Sequence, residues 1–160
     1  MEIKKALVIG GAGFIGYNLV KRLKSEGWYV VGLDRKKPDF EKSLADKFLI
    51  KDARLVFNIP SLSEFDRVYQ LAAEMGGAGY VFTGDNDADI LTNSLAINQA
   101  VLRKATLDKF NGKIFYSSSV CCYPDEVEGK ETDAYPANPP SNYGWEKLTS
   151  ERLYMAYAKN

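Results

Sequence analysis

Histidine is absent from the 160 residues of this chain, so neither a Ser-His-Asp triad nor a histidine metal site can be built from it. Cysteine is scarce. Cys121 and Cys122 are the two present, and as chain neighbours they cannot bridge each other without strain. That usage points to a reducing, cytoplasmic setting. No apolar run approaches the ~20 residues that cross a bilayer, and Met1-Glu-Ile-Lys-Lys leads straight into a short strand-like run, which argues against a signal peptide. Net charge is missing too: 21 Lys and Arg balance 21 Asp and Glu. Neither nucleic acid nor a membrane is therefore expected as a partner. Hydrophobic residues at 46% and charged residues at 26% suit one globular domain spanning residues 1–160.

Short apolar runs alternate with helical spacings along the chain. Lys5-Ala-Leu-Val-Ile-Gly10 suits a buried parallel strand. Ile15, Leu19 and Leu23 then recur at helical spacing, with Gly27 placed to cap that helix. Tyr29–Asp34, Lys47–Asp52, Asp66–Ala73 and Lys113–Ser119 read as four further strands. Met75–Asp87, with four glycines, reads as a loop, and a long helix follows with Ile90, Ile97 and Val101 on one face. A Pro-rich loop over Tyr123–Asn142 precedes a last helix that starts near Tyr143 and runs to Asn160. The alternation predicts an α/β fold, a Rossmann-like doubly wound parallel sheet of about five strands in order 3-2-1-4-5.

Gly10, Gly13 and Gly16 stand three apart between the first strand and the first helix. The first permits a tight turn, the second lets backbone approach a pyrophosphate, and the third lets helix and strand pack closely. The helix start, with Phe14 and Ile15 in its first turn, then turns N–H groups toward the phosphates. Asp34 ends the second strand 18 residues after Gly16, where a carboxylate can hold ribose hydroxyls. These residues point to NAD. Arg35, Lys36 and Lys37 would tolerate a 2′-phosphate, which leaves NADP open.

Tyr143 and Lys147 lie one helical turn apart on one face. A lysine there is expected to lower the phenol's pKa, and a phenol poised nearer neutrality can shuttle a proton while a nicotinamide takes a hydride. The spacing alone is common. Its meaning comes from the glycine motif that precedes it.

Gly10-x-x-Gly-x-x-Gly16, the Ser117–Ser119 strand end and Tyr143-x-x-x-Lys147 together resemble the extended short-chain dehydrogenase/reductase family, which includes NAD-dependent sugar-nucleotide epimerases and dehydratases. Within it, Leu71–Gly79, Ser118–Pro124 and Asn142–Lys147 look like segments of the GDP-mannose 3,5-epimerases. The GDP-L-fucose synthases share a similar Ser-Ser-Cys-x-Tyr-Pro pattern. The resemblance implies catalytic roles for Ser119, Cys121, Tyr143 and Lys147. Tyr143 shuttles the C4 proton with Lys147 as partner, Ser119 bonds the reacting oxygen, and Cys121 is the acid-base group at C3 and C5. It places Asp52, Leu71, Ala72, Ala73, Tyr143 and Lys147 beside the cofactor, and Met75, Gly76 and Gly77 beside a nucleotide sugar, with a GDP-linked one expected. No metal is implied, and a homodimer or larger assembly is.

Chains of that family are about twice as long. The expectation is therefore an N-terminal half lacking the C-terminal substrate-binding region and inactive by itself as an epimerase. The alternatives are an NAD-binding or assembly module without turnover, or an epimerase-reductase of the fucose-synthase kind.

Overall fold

The computed structural model describes residues 2–39, 41–125 and 129–159. They fall into two compact units: Met1–Ala72 with Ile97–Tyr116, and Ala73–Ala96 with Ser117–Asn160.

The first unit holds a five-stranded parallel sheet. Its strands are β1 (Lys5–Ile9), β2 (Tyr29–Asp34), β3 (Lys47–Ile50), β4 (Arg67–Gln70) and β5 (Lys113–Tyr116). Their spatial order is β3-β2-β1-β4-β5, as the alternation predicts. Side chains alternate across the sheet, and β1 and β2 are covered on both faces. From β1 and β2, Leu7, Ile9 and Leu33 enter one core cluster, which also takes Ile97 and Val101. Ala6, Val8 and Val30 enter the other, against Val20 and Leu23 of α1 (Phe14–Ser25). Burial on both faces explains why these strands read as continuous apolar runs.

Helix α1 stops in a Schellman motif. Gly27, at φ +81, donates to Lys24 O at 3.1 Å and Trp28 donates to Leu23 O at 3.0 Å. Trp28 and Leu23 then share the second core cluster, which sends the chain back into β2.

Three strands end earlier than the sequence predicts, each because a side chain captures the backbone. β4 was expected to reach Ala73. It stops at Gln70, whose Oε1 accepts from Ala72 N–H at 2.8 Å while Nε2 donates to Ala72 O at 2.9 Å. β3 was expected to reach Asp52, but that carboxylate accepts from Arg54 N–H at 2.9 Å, a local turn. β5 was expected to reach Ser119. Ser119 instead caps a 3-10 turn over Val120–Cys122, its Oγ accepting from Cys121 N–H at 3.2 Å.

The second unit is helical. The span expected as a loop after Met75 contains a short helix, α2 (Ala78–Val81), started at Gly77. Helix α3 (Asp87–Leu107) contributes its residues up to Ala96 here and the remainder to the first unit. A 3-10 turn over Glu131–Ala134 interrupts the Pro-rich stretch, and residues 126–128 of that stretch lie outside the described residues. Helix α4 spans Asn142–Tyr157, so it ends before the expected Asn160, which is itself outside the described residues. Ser141 starts it by accepting from Gly144 N–H at 3.2 Å.

Among the described residues no helix is long and apolar enough to cross a membrane. None of their His, Cys, Asp and Glu side chains form a group of three or more that could hold a metal ion.

Candidate functional site

The glycine turn of the first unit is built by exclusion. Gly10 has φ +86, and a Cβ there would stand 2.7 Å from Ala72 N and 2.9 Å from Leu71 C. A Cβ on Gly16 would overlap the Gly10 carbonyl oxygen and stand 2.9 Å from Gly11 Cα. Side chains at either position would push the turn off β4 or α1 off the turn. Gly13 differs. Its φ is an ordinary −70, and an added Cβ would meet only Gly10 O, at 3.4 Å. Among the described residues nothing demands glycine at that position, whereas a ligand approaching the backbone would.

The groups around the turn suit an anion. Gly10 and Gly11 N–H both donate to Leu33 O, at 2.8 and 3.2 Å, which ties the turn to the end of β2. The first-turn N–H groups of α1 have no intrahelical acceptor by construction. Gly13 supplies no side-chain cap and no acidic residue stands in that turn, and the positive end of a helix dipole suits an anion. Phe14 and Ile15 are exposed on that turn.

Asp34 ends β2 half-buried. Its Oδ2 accepts from Ala12 N–H at 3.0 Å and its Oδ1 from Lys36 N–H at 3.2 Å. A carboxylate has about four acceptor sites, so hydroxyls can still be held there. Asp52, just past β3, is paired with Arg54 at 2.5 Å, and that guanidinium holds its carboxyl below the usual range. Leu71 and Ala72 continue from β4 against Gly10, and Ala73 opens the second unit.

In the second unit the structure gathers Ser119, Cys121, Tyr143 and Lys147. Tyr143 is buried with Val81 and Ile90, and Tyr80 and Cys121 pack against that cluster. Phe82 meets the Tyr143 ring edge-on at 6.5 Å. Burial pushes the Tyr143 phenol above its ordinary pKa, and a hydrogen bond with the Ser119 side chain pulls the other way. This is opposite to the lowering expected from Lys147. The reason is the phenol's own burial; Lys147 is buried too, 4% exposed, and its Nζ donates to Ser117 O at 3.2 Å while lying 5.6 Å from the Tyr143 ring centroid. Desolvation lowers the lysine's own pKa.

The two cysteines part company. Cys121 is half-buried beside the tyrosine cluster. Cys122 is buried against Ala134 and Leu148, with Sγ 3.3 Å from Ser118 Oγ, and burial pushes its thiol up. Met75, Gly76 and Gly77 are exposed ahead of α2.

The model of the NAD dependent epimerase/dehydratase family matches residues 6–160. The chain belongs to that family. Its relatives include the GDP-mannose 3,5-epimerase of Arabidopsis thaliana, 36% identical over 99% of this chain and 44% of that protein. Among solved structures, the UDP-glucose 4-epimerase of Thermotoga maritima with UDP-glucose superposes with a TM-score of 0.81 at 26% identity, over 98% of this chain and 52% of that one. The UDP-glucose 4-epimerase of Brucella ovis in complex with NAD gives 0.82 at 26%, over 98% and 48%. The chain thus spans about half the length of the epimerases it matches.

Two residues of this family member have contacts that a reading of the sequence misses. Gly144 is one, since a Cβ there would overlap the Cys121 carbonyl oxygen; the bare helix start is what admits the cysteine turn. Glu74 is another. Its carboxylate accepts from Tyr80 Oη at 3.3 Å and Asn93 Nδ2 at 3.2 Å, and its N–H donates to Ser94 Oγ at 3.0 Å. The only signal in sequence is polar residues inside an apolar helix pattern.

The contrast between the thiols is directly measurable. Iodoacetamide at pH 8 is expected to alkylate Cys121 well before Cys122, because a buried thiol with a raised pKa presents little thiolate. Equal labelling rates in the native chain, resolved by peptide mass spectrometry, would contradict the placement of Cys122.

Proposed function

We propose that this chain carries the NAD-binding and proton-handling residues of a nucleotide-sugar epimerase of the GDP-mannose 3,5-epimerase kind. The supporting observation is the double use of Ser119, whose hydroxyl bonds the Tyr143 side chain and accepts the Cys121 N–H. One residue thereby joins the phenol to the backbone of the half-buried Cys121. Inversion at a single carbinol needs one group that handles the oxygen's proton. A thiol added beside it suits removal of a proton from carbon.

The glycine turn fits a dinucleotide by the steric argument at Gly13 and the uncapped start of α1. In this reading Gly10, Gly13, Phe14, Ile15 and Gly16 hold the pyrophosphate and Asp34 holds a ribose. Asp52, Leu71, Ala72 and Ala73 line the rest of the cofactor, with Tyr143 and Lys147. NAD, when bound, supplies reversible oxidation of the sugar at C4. Tyr143 holds or releases the C4 hydroxyl proton at its phenolic oxygen, and Ser119 orients that oxygen. Protons on the carbons flanking a ketone are acidic, and Cys121 as thiolate takes one while an acid on the opposite face returns one. Met75, Gly76 and Gly77 flank the sugar. The GDP-linked substrate is carried by the likeness to the plant epimerase.

The test is deuterium wash-in from heavy water. GDP-mannose and NAD are incubated with this chain and with any longer reading frame that contains it, and label is followed by NMR. Label at C3 and C5 is expected with the longer form and not with this chain by itself. Inversion at C4 of UDP-glucose with no label at C3 or C5 of GDP-mannose would overturn the 3,5-epimerase reading.

A further inference from the structure

The β4 ladder makes its last backbone bond from Leu71 N–H to Ile9 O at 2.9 Å. The next peptide is held by a side chain. Gln70, 1% exposed, turns its amide forward onto Ala72, accepting from the N–H at 2.8 Å and donating to the C=O at 2.9 Å. The remaining Nε2 hydrogen goes to Asn98 Oδ1 at 2.7 Å. Asn98 is also 1% exposed and reaches Gln70 from α3. Both donors and the acceptor of the Gln70 amide are therefore committed, which fixes its orientation. A buried polar group of this kind is costly unless every member is satisfied, so its presence in an apolar core calls for a reason.

The reason lies on the other side of the Ala72 peptide. Gly10 packs there so closely that an added Cβ would stand 2.7 Å from Ala72 N and 3.1 Å from Ala72 Cα. The turn's inner wall is thus a residue whose N–H and C=O are both held by the Gln70 side chain. We propose that Gln70, locked by Asn98, is a positioning residue for the cofactor: it holds the Ala72 peptide against Gly10 and so keeps the glycine turn in its dinucleotide-binding shape. The pair touches neither cofactor nor substrate in this account. It acts through Ala72 on Gly10, and it rests on the reading that the turn binds NAD.

Gln70→Glu keeps the shape and the acceptor for Ala72 N–H, but sets a carboxylate oxygen against Ala72 O and Asn98 Oδ1. Amide hydrogen exchange on the ligand-free chain is the first readout. Gly10 and Gly11 N–H are both bonded to Leu33 O, so they report directly on loosening of the turn. In Gln70→Glu, exchange over residues 10–16 and 71–73 is expected to rise at least tenfold at pH 7.5, with the amides of β2 and α1's second half unchanged. NAD affinity, by calorimetry, is expected to fall at least tenfold. Asn98→Leu, which removes only the lock, should move both readouts in the same direction by a smaller factor.

A purely structural role would raise exchange everywhere alike. That result, or a turn over 10–16 as protected as in the wild type while 71–73 loosens, overturns the proposal. If Gln70→Glu does not fold, Asn98→Leu and the wild type decide: NAD added to the wild type should slow exchange at 71–73 together with 10–16, and protection confined to 10–16 overturns it. A wild type that binds no NAD, yet whose variants loosen the turn locally, sinks the cofactor reading while upholding the hold of Gln70 on the turn.

Discussion

Gly16→Ala is expected to abolish NAD binding and to lower the melting temperature by about 5–10 °C. The new methyl would overlap the Gly10 carbonyl oxygen and crowd Gly10 C and Gly11 Cα, both at 2.9 Å. All three are backbone atoms, so no rotamer change relieves the clash, and α1 must move off the turn. Forcing a methyl into a packed site costs about 1–3 kcal/mol, and more where backbone must shift. The same movement carries the first-turn N–H groups away from the phosphates they are proposed to bind. Thermal unfolding followed by calorimetric titration checks both halves. An unchanged melting temperature with unchanged affinity would mean that the close approach of helix and turn is not as described.

Cys121→Ala is the second large effect. In a form of the protein that turns over, it should cut deuterium wash-in at C3 and C5 by about 10²–10⁴-fold, the span typical of losing a general acid-base group. Oxidation at C4 should survive, because Tyr143 and Ser119 are untouched. Cys122→Ala should leave wash-in near the wild-type rate, since that thiol is buried against Ala134 and Leu148. Wild-type exchange in Cys121→Ala, or loss in Cys122→Ala alone, would show that the wrong cysteine carries the chemistry.

The architecture was legible because it follows from local patterns. Alternating strands and helices with short connections leave few topologies, and the bounds of β2 are those expected, since an apolar run there ends at a charged Asp34. The glycine turn was legible because three glycines at fixed spacing have few other uses. Strand ends were not. β4, β3 and β5 stop where Gln70, Asp52 and Ser119 take backbone groups for themselves, and whether a polar side chain points forward onto its own backbone depends on tertiary surroundings. Helix α2 was hidden for a related reason: four residues after two glycines carry no periodicity to detect.

Tyr143 and Lys147, the pair proposed to handle protons, were legible as types and spacing but not as electrostatics. Tyr143-x-x-x-Lys147 fixes that the two side chains share a helix face. It cannot say that both are buried, and burial is what raises the phenol and lowers the ammonium. The separation of Cys121 from Cys122 was partly legible, because neighbours on a tight turn must diverge. Which of them packs beside the tyrosine is a tertiary matter, on a turn whose Cys121 carbonyl lies where a side chain on Gly144 would stand.

The central claim is that the glycine turn and Asp34 form a dinucleotide site, and calorimetric titration of the purified chain with NAD tests it most directly. The account predicts saturable binding of one NAD per chain, with affinity about tenfold or more weaker in Asp34→Ala, as expected when a charged hydrogen-bond acceptor is removed. Absence of saturable binding by the folded wild-type chain, or an Asp34→Ala variant that binds NAD as tightly as the wild type, would contradict it.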